Sequence, residues 1–166
     1  MRKRIEEQPE VDAIPISEVP IDVKSRDEMP KLFIGLKYIH ANTQLREAIF
    51  DILDECIPDA VDRKNGRPGL SLWSILVLGC VRLICNWNYD TLKDSADNHR
   101  TLRYMLGLGR YDTETTFPLQ TLRDNVSLLT PDVLDSINEK VVATGHEIMK
   151  KKTNGQYYMV NTTRLS

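Results

Sequence analysis

The stretch Leu70-Ser-Leu-Trp-Ser-Ile-Leu-Val-Leu-Gly-Cys-Val-Arg-Leu-Ile-Cys85 decides the fold class. Ser71 is a favoured helix N-cap, because its hydroxyl can accept from a free first-turn N–H. Leu72, Trp73, Ile75, Leu76, Val77, Leu78, Val81, Leu83 and Ile84 then point in nearly every direction around a helix running to about Asn86. A helix that is apolar all round belongs in a protein interior. Ser71, Ser74 and Arg82 interrupt the run, which is too short and too polar to cross a bilayer. It predicts a central core helix.

Working outward, the other elements are helical too. Asp62-Arg-Lys-Asn-Gly-Arg-Pro-Gly69 is a loop, with an Asn-Gly turn signal, a proline and three positive charges. Before it, Asn42-Thr43 caps a helix with the stripe Leu45, Ala48, Ile49, Ile52, Leu53 and Cys56, ended by Pro58. A further helix starts near Ser25–Asp27, tolerates Pro30 in its first turn and carries Leu32, Phe33, Leu36 and Ile39. After the core helix, Asp90 caps a short helix over Thr91–Asp97, and Thr101–Leu106 ends at Gly107 as C-cap. Phe117–Leu129 makes another helix. Thr130-Pro131-Asp132 starts the last, which runs to about Lys152.

The expected architecture is therefore all-α: a compact bundle of six to seven helices over residues 25–152. Residues 1–24, with Pro9, Pro15 and Pro20, read as an extended N-terminal arm. Residues 153–166 form a β-prone tail with no partner strand in view.

Composition sets the class. With 166 residues, 41% of them apolar and 28% charged, the chain is an ordinary globular one. Its formal charge of −2 is not that of a polycation. The average conceals blocks: residues 1–60 carry 8 basic and 13 acidic side chains, residues 61–110 carry 8 and 4, and residues 111–149 carry 2 and 7. A basic block can steer an anionic partner even when net charge is near zero. Cys56, Cys80 and Cys85 show no metal or disulfide spacing and fit free thiols in a reducing cytoplasm. Met1-Arg-Lys-Arg4 leads into acidic residues, not an apolar signal core.

No self-sufficient active site is legible. His40, His99 and His146 have no second donor at a metal-binding offset, so no metal is expected. Asp90, Asp94 and Asp97 share a helical face, but a cap and surface pairs account for them. Neither Gly66-Arg-Pro-Gly69 nor Gly107-Leu-Gly109 is a phosphate-binding glycine loop. No small-molecule substrate is implied. Trp73 and Trp87 read as core residues rather than base-stacking platforms.

One longer pattern remains. Arg67-Pro-Gly-Leu-Ser-Leu-Trp-Ser-Ile-Leu-Val-Leu-Gly79 is followed by Asn88-Tyr-Asp-Thr-Leu-Lys-Asp94, Leu102-Arg-Tyr-Met-Leu-Gly107, Asp112 and Phe117-Pro-Leu-Gln-Thr-Leu-Arg-Asp124. This order resembles the N-terminal helical domain (InsH N-terminal type) of bacterial insertion-sequence transposases of the DDE, RNase H-like class. Lys24-Ser-Arg-Asp-Glu-Met-Pro-Lys-Leu32, Gly35-Leu-Lys-Tyr-Ile39, the Thr130-Pro-Asp helix and Gly145-His146 with Lys150–Lys152 resemble the same proteins.

The resemblance implies a domain that grips transposon-end DNA and helps assemble the synaptic complex, with itself or an intact transposase as a partner. In that family, strand cleavage and joining use three carboxylates and two divalent metal ions on a following domain. No Asp or Glu follows Glu147, so none of those carboxylates carries over. The expectation is a non-enzymatic chain without a cofactor, cut short before a catalytic domain. The basic block supplies the candidate DNA contacts: Arg63, Lys64 and Arg67 on the loop, and Arg100 and Arg103 about a short helix. The alternative is a helical protein–protein interaction module whose basic block is a solvated surface.

Overall fold

A computed structural model describes residues 3–5, 11–56 and 69–154, with side chains described as far as residue 146. The loop at 62–68 and the tail from 155 lie outside the described residues. The architecture is all-α. Seven helices pack together, and the described residues contain no strand, only an isolated antiparallel bridge between Ala13 and Gly109. The helices are α1 (Glu28–Ala41), α2 (Thr43–Cys56), α3 (Leu72–Ile84), α4 (Tyr89–Asn98), α5 (Arg100–Met105), α6 (Leu119–Val126) and α7 (Pro131–Asn154).

α3 is the axis of the fold. Every residue from Leu72 to Val81 is buried, and the helix touches α1, α2, α4 and α6. Ser71 Oγ accepts from Ser74 N–H at 3.2 Å, as the sequence predicts. Two further first-turn donors are met from far away: Leu72 N–H donates to the Lys3 carbonyl (2.8 Å) and Trp73 N–H to the Arg4 carbonyl (3.0 Å). A helix start leaves such groups unpaired within the helix, so something else must take them. At the other end, Asn86 sits at φ 53° and Trp87 N–H reaches the Arg82 carbonyl at 2.9 Å. That is the left-handed close Asn tolerates better than most side chains.

This close sets the start of α4. Its cap is Asn88, whose Oδ1 accepts from Thr91 N–H at 2.8 Å, and not Asp90, which lies in the first turn. Asn and Asp cap equally well. The left-handed Asn86 leaves Asn88 extended, and that decides between them. The α6 helix is shorter than Phe117–Leu129 at both ends: Phe117 N–H is held by Asp97 Oδ1 at 2.8 Å outside the helix, and residues 127–129 form a turn. Gly107, at φ 83°, closes α5 with Leu108 N–H on the Arg103 carbonyl.

Asn42 serves two helices. Its N–H closes α1 on the Tyr38 carbonyl, and its Oδ1 accepts from Leu45 N–H to open α2. α7 packs along α2, with Ile137 buried. Residues 11–24 lie on the body: Ile14 and Val19 are buried, and Lys37 Nζ donates to the Val19 carbonyl at 2.8 Å.

Candidate nucleic-acid interface

Of the five basic residues singled out by sequence, Arg63, Lys64 and Arg67 lie outside the described residues. Arg100, the first residue of α5, is exposed. The helix it opens is capped by His99, whose Nδ1 accepts from Leu102 N–H at 3.2 Å. Arg103 is placed differently from that expectation. It is 7% exposed, and its guanidinium donates to the carbonyls of Ala96 (3.1 Å), Asp97 (3.2 Å), Thr115 (2.9 Å) and Asp112 (3.2 Å). The Asp112 carboxylate stands 3.5 Å away. Arg103 therefore ties the end of α4 to the 112–115 turn from inside, and it is not a surface cation. Spacing on a six-residue helix does not reveal which side a guanidinium faces.

The rest of the basic block divides the same way. Arg82 stacks over the Tyr89 ring at 4.3 Å. Lys93 pairs with Asp97 at 2.7 Å and donates to the Phe117 carbonyl. Arg110 is exposed on a turn held by Asp12, whose Oδ2 accepts from Tyr111 N–H at 2.9 Å. Tyr111 is 84% exposed. Sequence reading passes over this turn, since the Asp12 that fixes it lies far upstream.

It also passes over Arg4. One guanidinium meets Glu47 at 2.6 Å, Asp51 at 2.8 Å and Asp54 at 2.8 Å, and lies over the Phe50 ring at 5.9 Å. Hydrogen bonding to Asp51 above all, with Glu47 and Asp54, drives its pKa upward. With Arg46 also 3.6 Å from Glu47, three carboxylates against two cations leave this face of α2 with a slight acidic excess, which disfavours phosphate. The i, i+4, i+7 spacing of 47, 51 and 54 was the available signal.

Reactive chemistry is muted in the described residues. Burial pushes the Cys80 thiol up to about 12, and burial with the nearby Glu28 charge raises Cys85, so neither is a ready thiolate. Asp94 accepts from Asn98, Asp97 is spent on Lys93 and Phe117, and no group of three His, Cys, Asp or Glu side chains is set to hold a metal ion among the described residues. Burial, then the Arg46 charge, lowers the His40 pKa; burial lowers that of His99. No helix among the described residues is long and apolar enough to cross a membrane.

The fold and this surface define an all-α domain with exposed cations at Arg100 and Arg110 and an interior built on Arg103. No protein-family model, curated protein or solved structure matches the chain.

Proposed function

We propose that the chain is a DNA-binding and assembly domain of the insertion-sequence transposase type. In this reading it acts in the cytoplasm on transposon-end DNA, without strand-cleaving chemistry or a cofactor of its own. The observation that carries the reading is the ordered series of residues from Arg67 to Asp124. Those residues interlock α3 to α6: Trp73 Nε1 donates to the Met105 carbonyl at 2.8 Å, Arg103 holds Asp112, and Phe117 N–H is held from α4.

Phosphate contacts fall to Arg63, Lys64 and Arg67, on the segment leading into α3, and to exposed Arg100. With roughly 4 to 6 contacts, binding is weak and largely non-specific, and log affinity falls with log salt by about 0.9 per phosphate neutralised. The test is fluorescence anisotropy with labelled duplex DNA across a salt series. The combined Arg63→Ala, Lys64→Ala and Arg67→Ala variant should lower the salt slope by nearly three units, and Arg100→Ala by about one. A flat salt response, or a triple variant that binds like the parent, overturns the reading.

A protein-interaction module is the second reading, favoured by the outer face of α1. There Ile34 and Tyr38 stand 47% and 41% exposed beside Gly35, and the Lys37 ammonium between them in sequence is engaged with the Val19 carbonyl. Self-association or capture of an intact transposase, without DNA binding, is its signature.

A further inference from the structure

We propose that the cavity between the N-terminal segment and the first turn of α3 binds a small uncharged aromatic molecule of one or two fused rings that carries a hydrogen-bond donor. The cavity has a volume of about 260 Å³. Its walls come from two sources. Ala13, Ile14 and Ile16 belong to the N-terminal segment, and Trp73, Leu106 and His40 belong to the helical body.

Size comes first. An engineered apolar cavity of about 150 Å³ stays dry and takes benzene, so this space suits a somewhat larger ring system. Charge comes second. Among the described residues that line the cavity there is no Lys, Arg, Asp or Glu. A charged ligand would lose its hydration against apolar walls with no countercharge in return, which selects against carboxylates and amines. Shape comes third. The His40 and Trp73 rings meet edge to face, centroids 4.9 Å apart, and aromatic edges and faces favour a third ring over an aliphatic chain of equal volume.

Polarity supplies the donor requirement. Neither ring nitrogen of His40 has a hydrogen-bond partner among the described residues. Burial and the Arg46 charge keep the imidazole neutral, so one nitrogen is an acceptor. The Ser71 hydroxyl also borders the space, but it is engaged with Ser74. Of the polar side chains in the described lining, His40 is thus the one without a hydrogen-bond partner. Because the walls come from both sides, a ligand would fasten the N-terminal segment to the body. This site is independent of the DNA-binding reading.

The experiment is isothermal titration of the full chain at pH 7.5 with indole, and with benzofuran as an isostere lacking the donor. Indole is expected to bind at one saturable site and to raise the melting temperature. His40→Leu should weaken indole roughly tenfold, the worth of about one hydrogen bond, and leave benzofuran nearly unchanged. Ala13→Leu fills the space from the N-terminal segment and should abolish both. Ile16→Phe does so from a second position and carries the test should the first variant fail to fold. Absence of saturable indole binding overturns the proposal. So does undiminished binding by a folded cavity-filling variant, or equal losses of both ligands in His40→Leu.

Discussion

Gly79, in the middle of α3, faces Leu129 so closely that a Cβ added there would stand 2.7 Å from Leu129 Cδ2 and 2.8 Å from its Cβ. Both residues are interior, and the contact is how the turn after α6 seats on the central helix. Replacing a mid-helix Gly with Ala ordinarily gains about 1 kcal/mol. Overpacking costs about 1–3 kcal/mol, and here the clash outweighs the propensity. Gly79→Ala should therefore lower stability by up to about 2 kcal/mol, read as a fall in the urea midpoint. In a Leu129→Ala background, where the obstructing side chain is gone, the same change should become stabilising. Equal effects in both backgrounds would show that the approach is not what limits this site.

Arg103 predicts a second outcome. Its guanidinium serves four carbonyls and one carboxylate in the interior. Arg103→Met removes the interior guanidinium from its four carbonyls and from the Asp112 pair, and should cost about 3–5 kcal/mol. Arg103→Lys should recover only a minor part, because an ammonium lacks the planar fork that spans these acceptors. DNA affinity per folded molecule should be unchanged in the lysine variant. A marked loss of affinity with stability intact would return Arg103 to the interface.

The Arg4 cluster responds to salt. Its side chains are partly solvated, Arg4 at 28% and Asp51 at 67% exposed, so the network is worth only about 1 kcal/mol despite three short contacts. Arg4→Gln should lose about that much at low ionic strength. In 1 M salt, where the screening length shrinks to about 3 Å, the difference between variant and parent should largely vanish. Denaturant titrations at the two salt concentrations decide it.

Stability should also fall in mild acid. His40 and His99 both have pKa values lowered from 6.5 by burial, with Arg46 adding to the effect at His40. The unfolded chain then binds protons more readily than the folded one. Stability from these residues is constant above 6.5 and declines as pH drops below it, until the folded-state values are passed. Urea midpoints at pH 7.5, 6.0 and 5.0 should show the decline. His40→Leu combined with His99→Asn, which keeps a capping side chain, should flatten it.

The all-α class and most helix starts were legible because they rest on local chemistry. Ser71, Asn42 and Thr130 each cap the helix they precede, through an oxygen three residues before its donor. Gly107 closes α5 in the one backbone region where glycine has the advantage. Asn88 and the start of α6 were missed because each is fixed from outside its own helix, by the Asn86 turn and by Asp97. The candidate interface was less legible still. Charge by segment counts cations without telling that Arg103 faces inward, Arg82 lies on Tyr89 and Arg100 faces water. Arg4 belongs to α2 electrostatically, a pairing that no local window contains.

The carbonyls of Lys3 and Arg4 on the first turn of α3 also give the fold a built-in reporter. First-turn amides of a helix usually exchange with solvent deuterium early, since no preceding turn protects them. Those of Leu72 and Trp73 are covered by another part of the chain. Their exchange measures detachment of the N-terminal segment rather than fraying of the central helix, and comparison with Val77 in the same helix separates local release from global unfolding.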